Sequence, residues 1–114
     1  MQITNNYQPN FKSGKIGKKA LLALSDRLPS GQFDVFVNKF NKKHEGSAYK
    51  ILLDTATKPK KRLDACITYD ENNFRYLTEG VFSSFFCHPI KFMKQINKQI
   101  AEDLTSIALK GHID

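Results

Sequence analysis

From Ile90 to Ile107 the apolar positions are Ile90, Met93, Ile96, Ile100, Leu104 and Ile107. The steps of three and four lay one stripe along a helix. Lys91, Lys94 and Lys98 project from roughly the opposite side. Pro89 suits the first helical position, where its missing N–H costs nothing, and Gly111 after Lys110 suits a left-handed cap. A helix of about 22 residues at ~1.5 Å each is long enough to cross a small sheet. No polar residue interrupts the stripe, so the pattern predicts a helix that closes a hydrophobic core, with Phe92 near its polar boundary. A membrane-surface helix would flank its apolar face with cations and line the polar boundary with Trp or Phe. Phe92 alone stands near that boundary.

Alternation with a period of two marks a different region. Tyr49, Ile51 and Leu53 alternate with Lys50, Leu52 and Asp54, and Leu63, Ala65, Ile67 and Tyr69 alternate with Arg62, Asp64, Cys66, Thr68 and Asp70. Lys58-Pro59-Lys60-Lys61 forms the turn between them. Glu71 to Asn73 leads into a further strand at Phe74, Tyr76 and Thr78. Upstream, Ala20, Leu21, Leu24 and Leu28 share a face of a helix over Ile16–Leu28, which Pro29 ends. Gln32–His44 fits two periods. Phe33, Phe36, Val37 and Phe40 suit a helix, whereas alternation and β-favouring residues suit a strand, and strand is the expectation here. Val81–Cys87 is expected as a helical turn whose Val81, Phe82, Phe85 and Phe86 plug one end of the core. Met1–Ser13 lacks periodicity and reads as a flexible arm, with Tyr7 and Phe11 able to tuck inward. The fold class is therefore α+β: an N-terminal helix, an antiparallel meander of three to four strands, and a long C-terminal helix packed across the sheet. Residues 14–114 form its single domain.

Strand parity adds a candidate surface. With Glu71-Asn72 as a two-residue hairpin loop, Cys66 faces Leu77. One allowed register of the preceding hairpin sets Leu52 against Cys66, and a strand at Gln32–His44 can bring Phe36 against Leu52. Phe36, Leu52, Cys66 and Leu77 then line up on the supposedly polar face. Such a row is either covered by the first helix or by Val81–Cys87, or it is a partner or self-association surface. Tyr49, Tyr69, Phe74 and Tyr76 fall on the inner pattern and are expected in the core.

Charge changes the picture in one respect. The net charge is +7. Residues 1–62 carry the excess of cations and residues 63–88 the excess of acids, so a positive half faces possible nucleic-acid or anionic partners. Fifteen of the eighteen cations are lysine, however, and specific phosphate and base recognition favours arginine's bidentate fork. Two clusters stand out: Lys15, Lys18 and Lys19 within Gly14-Lys15-Ile16-Gly17-Lys18-Lys19, and Lys58, Lys60, Lys61 and Arg62 at a hairpin tip. The first lacks P-loop spacing. It has the G-x-x-G of a KH clamp but no preceding helix. It reads as a basic lead-in to the first helix. Exposed aromatics beside the lysines would strengthen a single-strand binding role.

Catalytic signatures are sparse. Cys87 precedes the last helix, where a thiolate is favoured, and His88 adjoins it, but a nucleophile needs a base held in reach by a third group. Cys66, Cys87, His44, His88 and His112 show no zinc spacing, so no metal or other cofactor is expected. Two cysteines make no disulfide framework, and neither a secretory signal nor a membrane span is visible, so the chain is expected in the cytoplasm. The leading functional expectation is a small non-enzymatic protein acting through protein–protein contacts or self-association. A lysine-based nucleic-acid-binding module is the alternative, and a cysteine-dependent enzyme the remote one.

Overall fold

The computed structural model describes residues 13–56 and 61–113, with side chains as far as Lys110. The order is β1 (Gly14–Ile16), α1 (Lys18–Arg27), α2 (Phe33–His44), β2 (Lys50–Thr55), β3 (Leu63–Thr68), β4 (Phe74–Thr78), α3 (Val81–Phe86) and α4 (Ile90–Ile113). The four strands form one sheet in the order β1-β2-β3-β4. β2, β3 and β4 are an antiparallel meander, but β1 runs parallel to β2, so the sheet is mixed.

The β1 strand was not legible as periodicity because it is only three residues long. Its pairing is nonetheless close. The Ile51 N–H donates to the Ser13 carbonyl at 2.7 Å, and the Gly17 N–H donates to the Leu53 carbonyl at 2.8 Å. The two glycines of the G-x-x-G stretch serve this packing. A Cβ on Gly14 would stand 3.2 Å from the His44 Cβ and 3.3 Å from the Phe40 ring, and one on Gly17 would press on the Asp54 carboxylate at 3.2 Å. Asp54 thereby sits beside the N-terminus of α1, whose first turn carries Lys18 and Lys19 and no acid.

Gln32–His44 is not a strand. Phe36, Phe40 and His44 are buried along one side of helix α2, while Val35, which strand alternation would have grouped with Phe33 and Val37, is exposed. Packing of a 3.6-residue stripe outweighs the β preference of Val and Phe. The fourth strand is therefore β1 and not this segment.

One face of the sheet holds the core. Ile51, Leu53, Leu63, Ala65 and Ile67 pack with Ala20, Leu24 and Leu28, with Phe36 and Phe40, and with Phe92, Met93, Ile96 and Ile100 of α4. The long C-terminal helix thus closes the core with a slightly rotated stripe. Phe92 is fully buried, whereas Ile90 and Leu104 are at the margin. Asp103 takes a buried place because Arg75 binds it through Nε and Nη2, both at 2.8 Å, and the Tyr69 hydroxyl donates to it at 2.8 Å. The Arg75 bonds hold the Asp103 carboxyl below its ordinary pKa, while burial and then the Asp103 bond push the Tyr69 phenol up. The helix runs through Gly111, which is not a cap. No helix among the described residues is long and apolar enough to cross a membrane.

The β3–β4 hairpin differs by one residue from the sequence expectation. Asp70 Oδ1 accepts from the backbone N–H groups of Asn72 and Asn73, at 2.8 and 2.9 Å, and the N–H groups of Tyr69 and Asp70 both donate to the Asn73 carbonyl. This Asx turn lengthens the loop and sets Cys66 against Tyr76 and Ala65 against Leu77. A slip of one residue turns every β4 side chain over. Leu77 goes inward against the core, and Phe74 and Tyr76 go outward.

Candidate functional site

Phe36, Leu52, Cys66 and Leu77 consequently do not form one row. Phe36 is in the core and Leu77 packs against it. Leu52 and Cys66 do face each other, in the register read from the sequence, and Lys15 and Tyr76 extend their line across the sheet. On this outer face Phe74 is 62% and Tyr76 68% exposed, their rings 6.3 Å apart and edge to face. Lys50 lies in line with Thr68 and Phe74. The far end is acidic: Asp54 faces Asp64, and burial followed by the Asp54 charge raises the Asp64 pKa.

The larger apolar surface belongs to α3. Phe82, Phe85 and Phe86 are 75%, 64% and 73% exposed, and Val81 is exposed too, whereas Ser84 is buried. The helix therefore turns its serine side inward and its aromatic side to solvent, the reverse of the expected plug. The Phe82 and Phe86 rings lie 4.8 Å apart, so the aromatics form a continuous patch. Polar anchoring explains the inversion. The Ser84 hydroxyl donates to the Val81 carbonyl at 2.6 Å. Arg27, in the last turn of α1, forms a bidentate pair with the buried Glu79 at 2.6 and 2.8 Å. The same guanidinium donates to the carbonyls of Lys61 (3.1 Å), Ser83 (3.3 Å) and Cys87 (3.1 Å). One cation thus ties α1, the end of the β2–β3 connection and both ends of α3 together. It also satisfies carbonyls at the α3 C-terminus, where positive charge is favoured. Arg27 was not singled out in the sequence. Its signal there is only a cation in the last helical turn before Pro29.

The basic residues are partly diverted into this network. Arg62 donates from Nε to the Glu79 carbonyl at 2.5 Å, and Lys61 pairs with Asp26 at 3.3 Å. Lys15, Lys18 and Lys19 are exposed. Lys19 and Lys61 line one groove of about 540 Å³ with Leu22 and Asp26, so the two predicted clusters meet there in part. Lys58 and Lys60 lie outside the described residues. A second groove, of about 620 Å³, shares Asp26 and Lys61 and ends on Phe85 and Phe86. The two grooves and the aromatic patch are therefore contiguous.

Cys87 and His88 do not form a nucleophile–base pair. His88 Nδ1 accepts from the Ile90 N–H at 3.0 Å, capping α4, and Nε2 pairs with Gln32 Oε1 at 3.0 Å. The group near the thiol is Lys91, whose Nζ lies 3.8 Å from Sγ. Among the described residues no three His, Cys, Asp or Glu side chains gather as a metal site. Comparison with known proteins finds no match among family models, curated proteins or solved structures.

Proposed function

We propose that this chain is a non-enzymatic protein-interaction module whose contact surface is the aromatic side of α3. The single observation that carries this reading is the inversion of α3, with Phe82, Phe85 and Phe86 outward and Ser84 inward. Three clustered phenylalanines in water lose the gain of burial, roughly 25 cal/mol for each Å² left exposed, and aromatic residues enriched in a patch are what interface cores use. The net charge of +7 opposes close approach of a second copy, so the partner is a different protein with an apolar groove and an acidic rim. The two free thiols, Cys66 and Cys87, suit a reducing compartment, and we place the protein in the cytoplasm.

Site-specific photocrosslinking in cells tests the reading. A benzoyl-phenylalanine at Phe82 or Phe86 is expected to capture a discrete protein, and the same group at exposed Lys98 is not. Substituting Phe82, Phe85 and Phe86 together with serine is expected to reduce capture from a crosslinker at Val81 at least tenfold. Folding stability should stay within about 1 kcal/mol, because the removed side chains are exposed. Absence of any product from the α3 positions would sink the proposal, and a product of twice the chain's own mass would replace the foreign partner with a second copy.

The outer sheet face favours a second reading. Phe74 and Tyr76 stand exposed near Lys50, with Lys15 at the opposite edge, the combination of stacking platforms and cations that single-stranded nucleic acid uses. Anisotropy of a labelled mixed-sequence single strand at low salt checks it. Replacing both aromatics with alanine should weaken binding roughly tenfold or more, on the basis of ~1–3 kcal/mol per stacked base. No binding of the unmodified protein at low salt removes this reading.

A further inference from the structure

A cavity of about 380 Å³ lies between α2 and α4, away from both surfaces described above. Its walls are apolar: Phe36 and Phe40 from α2, Ile90 and Met93 from α4. Lys39, Lys42 and Lys43 border it from α2, and all three are exposed. No acid is among the described residues lining this cavity, in contrast to the two grooves near α3, where Asp26 is present. The α4 side also carries Asn97, whose Oδ1 is buried with no hydrogen-bond partner among the described residues. An ionised carboxylate has no donor for that oxygen, so a carboxylate head belongs with the lysines and not beside Asn97. The volume falls in the range of small-molecule sites, which are mostly apolar with a few convergent polar groups.

We infer that this cavity binds a small anionic amphiphile, a carboxylate-headed hydrocarbon with its chain against Phe36, Phe40 and Met93 and its head among the three lysines. Charge complementarity selects the class. An uncharged hydrocarbon would leave the lysines unused, and a polyanion without an apolar body would leave the cavity unfilled.

Titration with decanoate, below the concentration at which it forms aggregates, tests the inference by amide NMR on the whole chain. Saturable shifts are expected at Phe36, Phe40, Met93 and the Asn97 side-chain amide. Decanol should bind at least threefold more weakly, since exposed ion pairs add modestly and additively to apolar burial. The double substitution Lys42→Glu and Lys43→Glu should weaken decanoate roughly tenfold and leave decanol within about twofold. Raising the salt should weaken decanoate and not decanol. Ile90→Trp, at the margin of the cavity, should abolish both. If that variant fails to fold, the lysine variant on the solvent side still decides. No saturable shift, shifts centred on Phe74 and Tyr76, or equal affinity for acid and alcohol would each overturn the inference.

Discussion

Arg27→Met is expected to destabilise the protein by about 3–5 kcal/mol, the cost of leaving one buried charge without its partner. Glu79 is buried, and its carboxylate meets both Arg27 nitrogens and the Leu63 N–H at 3.2 Å. Methionine fills similar space but removes the charged partner of that carboxylate and the Arg27 bonds to the carbonyls of Lys61 and Cys87. The paired change Arg27→Met with Glu79→Leu should recover a good part of the loss, because both charges leave together. Urea denaturation of the two variants and the unmodified protein measures the difference. A loss below about 1 kcal/mol in the single variant would show that Arg27 does not hold this corner of the fold.

Acidification from pH 6.5 to pH 4 is expected to remove about 3 kcal/mol through His44 alone. Its side chain is fully buried between Phe40 and Tyr49, with Nδ1 2.8 Å from the Tyr49 hydroxyl. Nε2 is buried without a partner among the described residues. Burial first, and the Lys43 charge second, lower its pKa from 6.5 to about 4. In the unfolded chain the imidazole takes up a proton below pH 6.5, whereas the folded protein resists until about pH 4. Stability is therefore complete above 6.5, falls across that window and levels off, as far as this group is concerned, below 4. Asp103 adds its own loss at lower pH, where the carboxylate that Arg75 binds is finally protonated. His44→Gln should start less stable at neutral pH yet show a nearly flat stability between pH 6.5 and 4.5. An unchanged slope in that variant would assign the acid sensitivity elsewhere.

The elements that were legible in the sequence are those in which one period runs long enough to exclude the other. The C-terminal helix and the alternating strands β2 and β3 belong to this group. The β1 strand was not legible, since three residues, Gly-Lys-Ile, have no period, and their strand character comes from Leu53 and Ser13 hydrogen bonds supplied by the fold. Gln32–His44 satisfied two periods at once, and only contact of Phe36 and Phe40 with the rest of the core decides between them. The β4 strand turned over because Asp70 folds its side chain back onto Asn72 and Asn73, adding a residue to a loop that composition alone leaves undetermined. The α3 helix departs from the sequence expectation for a different reason. Apolar residues are assumed to face inward, and in α3 the buried Ser84 and the Arg27 anchor turn the aromatic side outward instead. The lysine clusters were visible, but the diversion of Lys61 and Arg62 to Asp26 and Glu79 depends on residues 35 and 17 positions away in the chain.

Arg27 has a consequence for how α3 meets anything that binds it. A six-residue helix has no stability of its own in water, because nucleation fixes several dihedrals for a single hydrogen bond. Left alone, the segment would have to fold as it bound, and part of the contact energy would go into ordering it. Anchored at Ser83 and Cys87, it presents its aromatics already ordered, and association carries little entropic penalty on this side. The corollary is selectivity: a surface ordered in advance does not remould itself, so any protein that docks there must have, or adopt, the complementary shape.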